Sequence, residues 1–268
     1  MIFLSYRFIV ILYWPPEYVT GGARIRLREP AVIVAVHQPQ YLPWIGYFNK
    51  IDRADVFVLL DNVQYKKNEW QNRNRIKTAQ GWQWLTVPVL YRFPQLLREV
   101  RINDRERWQH RHRQALLSSY RRAPYWALLE AFCDELCSRQ WQTVAELNIF
   151  TVRRLSQLLG IITPIHVASE LGTFPDDPDE RLVALTKHFG ASVYLAGDGG
   201  KNYMDMGKYA GHGIEVVFQN FLHPRYGQLF GDFEPNLSVV DLLYNHGEQS
   251  IDILRCHDED SCTGSASR

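Results

Sequence analysis

Two apolar runs, AVIVAV at 31–36 and DVFVLL at 55–60, constrain this chain more than any other feature. Neither alternates between apolar and polar residues, so each predicts a strand covered on both faces. Between them Trp44, Phe48 and Ile51 fall at helical spacing, which predicts a helix over Trp44–Arg53 that Gly46 weakens. Strand, helix and strand in close succession make a βαβ unit, with parallel strands and a right-handed crossover.

The same alternation returns in the last third. PIHVAS, SVYLAG and IEVVFQNF read as strands. Asp177 caps a helix with Pro178 as its first residue and Gly190 as its stop, NYMDMGKYAG is a short helix, and Ser238 or Asn236 caps a final helix that stops at Gly247. In the middle, 82–89 and 97–102 read as strands, either a hairpin or an addition to the sheet edge. From Glu106 to Gly160 the pattern is helical in three stretches, with Pro124 in the first turn of the second. The fold class is therefore α/β, a Rossmann-like, mostly parallel sheet with a helical insertion at about 104–160. The domain spans 31–250, and the polar residues 251–268 form a mobile tail.

With 46% hydrophobic residues in 268, the chain can bury a large core, and a net charge of +1 gives no long-range pull toward nucleic acid. No run reaches the roughly 18 apolar residues that span a bilayer. The greasy start, MIFLSYRFIVILYWPPEY, lacks a basic beginning and a cleavage site. It reads as a peripheral anchor or as an extension upstream of the true start; the second is favoured, with residues 1–30 packing poorly. Of the cysteines, Cys133 and Cys137 share a helix face and Cys256 and Cys262 lie in the tail. That spacing predicts reduced thiols and a cytoplasmic setting, with no metal site.

Ligands of open α/β sheets bind beyond the carboxyl ends of the strands. Three loops qualify there. His37, Gln38, Gln40 and Tyr41 follow the first strand, Asp61, Asn62, Gln64 and Tyr65 the second, and Gly197, Asp198, Lys201 and Tyr203 the VYLA strand. His37 and Asp61 are the candidate catalytic pair, as groups able to take a proton, although a histidine after a strand can be structural and Asp61 can cap a turn. YKKNEWQNRNRIK, 65–77, is a basic-aromatic cluster in which Lys66, Lys67 and Arg73 suit phosphate, Trp70 or Tyr65 a stacked ring, and Asn72 and Asn74 sugar hydroxyls. A solvated hairpin is the plain alternative. AGDGGKNYMD lacks the spacing of a named phosphate loop. His223, Arg225, Tyr226 and Gln228 read as a lid, a rim or an aromatic-packed connection.

HQPQYLPWIGYFNKI, ADVFVLLDNVQYKKNEWQNRNRIK, YLAGDGGKNYMD and HPRYGQLFGDFEPNLSVVDLLYNHG resemble stretches of the WbqC-like family, over about 32–247. The resemblance implies a bacterial protein of surface polysaccharide (O-antigen type) synthesis. It implies transfer of an acyl or aminoacyl group to a nucleotide-linked or phosphorylated amino sugar. It also points to His37, Gln38, Gln40, Tyr41, Asp61, Gln64, Tyr65, Trp70, Asn72, Arg73, Asn74, Gly197 and Tyr203 as site residues. A more distant likeness is to nucleotidyltransferases of the HIGH-motif type, whose second histidine is missing here. The expected partners are a sugar or nucleotide sugar and an acyl or aminoacyl donor. No cofactor is named. The rival readings are a nucleic-acid-binding module using 65–77, against which the near-zero charge speaks, and a non-catalytic scaffold in a biosynthetic complex.

Overall fold

A computed structural model describes residues 31–256. The expectations for 1–30 and for the tail from 257 lie outside the described residues. The first strand, β1 (Ile33–His37), leads through α1 (Ile45–Asp52) into β2 (Val56–Leu59). A long excursion follows. It comprises β3 (Arg73–Thr78), β4 (Gly81–Thr86), β5 (Val89–Leu90), β6 (Arg101–Ile102), α2 (Trp108–Tyr120), α3 (Trp126–Ser138) and α4 (Val144–Leu158). The chain then completes the sheet with β7 (Ile165–Val167), α5 (Pro178–His188), β8 (Val193–Ala196), α6 (Met206–Gly211) and β9 (Glu215–Phe218), and closes with α7 (Val239–His246) and α8 (Ser250–Arg255).

The sheet order is β7-β2-β1-β8-β9, with every pairing parallel. Counted by their place in the sheet, the strands run third, second, first, fourth, fifth, the Rossmann-like order, whose direction reverses between β1 and β8. The apolar runs explain the layering. Ala35, Phe57, Leu59 and Leu195 face a core shared with α1, α7 and the inserted helices, whereas Val34, Val36, Val58 and Ala196 face a second core under α5 and α6. Both faces are dry, as continuous hydrophobicity required.

The inserted helices occupy 108–158, within the predicted interval. Two local expectations need correction. Residues 81–86 pair antiparallel with 73–78, making the basic-aromatic stretch half of a hairpin, while 97–102 contributes a 3-10 turn and a two-residue strand against β5. Neither joins the main sheet. Pro124 lies just ahead of α3, whose N-cap is Tyr125. Asp177 caps α5 through the amides of Asp179 and Glu180, and Ser238 caps α7. Past Gly247 the chain continues into α8, with Leu254 buried, where the composition reads as tail. Cys133 and Cys137 are free, but Cys256 is disulfide-bonded, against the expectation of reduced thiols throughout. Among the described residues no helix is long and apolar enough to cross a membrane.

Gly247 has φ +53°, and a Cβ there would lie 2.3 Å from the Tyr125 ring. Backbone strain and overpacking each cost about 1–3 kcal/mol, so Gly247→Ala is expected to destabilise by about 2–6 kcal/mol in urea melts.

Candidate functional site

The loop after β1 runs into a buried volume, so its backbone carbonyls cannot rely on water. The rest of the chain supplies donors one by one. Lys50 Nζ donates to Val36 O at 2.9 Å, Tyr47 Oη to Gln38 O at 3.1 Å and Asn148 Nδ2 to Pro39 O at 3.0 Å. Asn74 Nδ2 bridges Tyr41 O and Leu42 O, at 3.3 and 2.7 Å. The amides of Leu60 and Val239 donate to His37 O and Pro43 O, and the Tyr41 amide donates to Trp70 O at 3.0 Å. Leu42, fully buried, is held at φ +43°, a strained conformation for a leucine, and the Asn74 bond to its carbonyl holds it there.

This pinning fixes His37 at the carboxyl end of β1, beside the reversal point. Its ring lies 4.8 Å from the Tyr47 ring. The residue keeps partial exposure, yet Nδ1 is shielded and has no hydrogen-bond partner in the protein. Burial, and then the neighbouring charge of Lys50, hold the imidazole down to about pKa 3, so it is neutral at pH 7. Burial lowers Lys50 itself to about 7. Its Nζ sits 5.9 Å over the Tyr194 ring of β8, a buried amine about half protonated at pH 7.

The loop of 64–72 forms the neighbouring rim. Gln38 Oε1 accepts from Gln71 Nε2 at 2.5 Å, and Gln71 Oε1 accepts from the Lys66 amide at 2.9 Å. Thus the HQP loop and the basic-aromatic loop, both predicted from sequence, meet directly. Lys66 and Lys67 are exposed. Gln64 donates to Tyr65 O. His37 Nδ1 and Gln40 Oε1 on the loop after β1, and Asn62 Oδ1, Tyr65 Oη and Asn72 Oδ1 between β2 and β3, are shielded polar atoms without a protein partner. Buried polar atoms are ordinarily paired, so each is a polar atom that a ligand could satisfy.

Several predicted site residues do other work. Asp61 is buried, with Oδ1 accepting from the Ser169 amide at 3.0 Å and Oδ2 from Ser169 Oγ at 2.7 Å, and so ties the end of β2 to the segment after β7. Tyr41 is fully buried, its hydroxyl 2.9 Å from His112 Nδ1. His112 Nε2 lies 3.1 Å from Thr86 O, which can only accept, so Nε2 carries the proton and Nδ1 accepts from Tyr41. Burial lowers His112 to about pKa 4. Tyr65 packs its ring on Tyr91, Asn72 donates to Val87 O, and Asn74 braces the loop; the asparagines serve backbone, since each is buried. Arg73 donates to Asn68 O and lies 4.3 Å over Trp84, and Trp70 packs on Trp84, both turned toward the hairpin.

After β8, Asp198 accepts from the amides of Asn220 and Phe221 and from Lys201 Nζ, which also donates to Asn220 Oδ1. These bonds close the loop onto the segment after β9; Gly197 is partly exposed and Tyr203 is 76% exposed. The 223–228 segment is an aromatic-packed connection. His223 donates to Pro224 O and accepts from the Asn236 amide, Tyr226 donates to Asp241, and Gln228 binds the Glu234 backbone, while Arg225 lies over Phe233. A separate groove of about 580 Å³ is lined by Asp61 and by arginines of α4, but by no residue of the loop after β1. Ion pairs of Arg139 with Glu146 and Arg154 with Glu135 cross it.

Sequence reasoning missed Lys50, Gln71, His112 and Asn148. Lys50 had one signal, its place beside Phe48 and Ile51 on a helix whose apolar residues anchor it in the core. The rest are ordinary polar residues until their long-range partners are known.

A family model described as the WbqC-like protein family matches residues 38–253. An uncharacterised protein of Mycobacterium tuberculosis, Rv1507c, is 36% identical over 226 residues, covering 83% of this chain and 97% of its own. No solved structure matches.

Two outcomes follow from the geometry. Asn148→Ala strips donors from Pro39 O and from Gln71 O and is expected to cost about 2–4 kcal/mol, since two buried carbonyls lose their partner. For His37, the folded pKa lies below the unfolded 6.5, so the unfolded chain binds the proton first as pH falls. Stability from this group is thus complete above pH 6.5 and is lost toward pH 3, by at most about 1.4 kcal/mol per pH unit. His37→Gln should flatten the acid limb of a stability-against-pH curve by that slope; an unchanged slope would contradict the shielding.

Proposed function

The chain belongs to the WbqC-like family, and on that premise we propose that it is an enzyme of bacterial surface polysaccharide synthesis, transferring an acyl or aminoacyl group to a nucleotide-linked or phosphorylated amino sugar. The single observation that carries this reading is the shielded, unpartnered Nδ1 of His37 at the end of β1, where the sheet order reverses. A ligand that offers a polar hydrogen there, such as a sugar amine, would satisfy it.

In this reading the sugar amine attacks the acyl carbonyl carbon. A C–N bond forms, and the donor's leaving group departs with its bonding electrons. The proton released by the amine is accepted by His37, which is neutral and lacks a partner at Nδ1. Lys50, close enough to disfavour an imidazolium, drives that proton onward to the leaving group. Gln38 and Gln40 orient hydroxyls, and Lys66 and Lys67 meet phosphate at the exposed rim. Asp61 takes no part in proton transfer.

The test separates the two residues named from sequence. In a purified transfer assay His37→Ala should lower kcat/KM by about 10²–10⁴, the range for a positioned acid–base group, without a fall in melting temperature. Asp61→Asn should do the reverse, lowering the melting temperature while folded enzyme keeps its turnover. Among nucleotides, nucleotide sugars and acyl donors, a true substrate present at a hundred times its Kd stabilises by about 2.7 kcal/mol. Full turnover in His37→Ala, or a melting temperature indifferent to every nucleotide sugar, would sink the assignment.

A further inference from the structure

The β3–β4 hairpin buries one face and turns the other outward. Ile76 and Leu85 on the inner face are core residues. On the outer face Trp82 and Trp84 are 41% and 37% exposed, and Trp70 joins them from the preceding turn at 37%. The rings form one contiguous group: Trp84 has centroids 5.6 Å from both Trp70 and Trp82. Two guanidiniums are set among them. Arg73 lies 4.3 Å over Trp84, and Arg75, the direct cross-strand partner of Trp84, lies 5.0 Å over Trp82.

Three half-exposed indoles in contact are far from the scattered surface apolar residues a soluble domain carries without purpose. The arginines are held in place rather than roaming: Arg73 donates to Asn68 O, Arg75 to Asn236 O, and the Nε of each is shielded without a partner. Lys66 and Lys67 stand exposed on the preceding turn with Glu69, and the Glu234 carboxylate lies by the hairpin turn at Gly81. The face therefore combines electron-rich ring surfaces, fixed forked donors and an excess of positive charge.

That combination matches a pyranose ring bearing carboxylate. Its apolar C–H face covers an indole, while its hydroxyl and carboxylate rim meets guanidinium and ammonium donors. A nucleic-acid strand fits less well. Its bases stack on rings that offer successive parallel faces, whereas these rings meet at 45° and 81°, and the net charge of +1 gives no extended track for a phosphate backbone. We propose that the outer face of this hairpin binds an acidic saccharide. The proposal stands apart from the transfer reading and needs no catalysis to test.

Calorimetric titration of the full chain would use three probes: an oligogalacturonate, a neutral malto-oligosaccharide of equal length, and a single-stranded RNA of equal charge. The expected result is binding of the oligogalacturonate that weakens as salt rises, with the neutral oligosaccharide at least tenfold weaker. Trp84→Ala should lose at least tenfold in affinity at an unchanged melting temperature. Should that variant unfold, Trp82→Ala, which removes the most exposed of the three rings, carries the same expectation. No heat with oligogalacturonate, tighter binding of the RNA, or full affinity in a folded Trp82→Ala variant would each overturn the proposal.

Discussion

A loop that carries two prolines and lies under protein rather than water must have its carbonyls satisfied by something other than a regular ladder. The rest of this molecule is arranged around that requirement. Donors come from α1, from the end of β2, from β3, from α4 and from the start of α7, each reaching one or two carbonyls between Val36 and Pro43. The long excursion between β2 and β7 is therefore part of the fold's logic and not an ornament on a Rossmann-like sheet. Without Asn74 and Asn148 the HQP loop would hold unsatisfied carbonyls in a dry interior, and His37 would have no fixed position.

The same economy separates two kinds of polar residue that look alike in a sequence. Tyr41, Asp61 and Asn74 have partners within the protein, and their burial is stabilising because those bonds are made. His37 and Gln40 keep a shielded atom without one. Leaving such atoms unpaired costs free energy that folding alone does not recover, which is the reason to look for a ligand at that edge.

Much of the framework was legible because it rests on local rules. Uninterrupted apolar runs announced β1 and β2, Asp177-Pro178 announced α5, and Ser238 announced α7. What escaped was decided by contacts distant in sequence. The tie of Asp61 to Ser169 escaped because nothing near Asp61 in the chain reveals Ser169. Trp82 and Trp84 read only as strand residues, because the partner strand that turns them outward carries the charges that give them meaning. Residues 97–102 read as one strand, yet their backbone is spent on a 3-10 turn and a short pairing with β5. α8 was lost because its polar exposed face resembles tail composition.

The pins on the HQP loop also set a timetable. Asn148 lies 109 residues from the carbonyl it holds, and Asn49 reaches across 205 residues to the carbonyl of Leu254. Contacts so remote cannot form while the chain is still short, and each must first overcome the entropy of closing a large loop. A ribosome releases the histidine early and its supports late. The crevice is thus among the last parts to acquire its shape, so a truncated or stalled chain would carry the whole motif and none of the site.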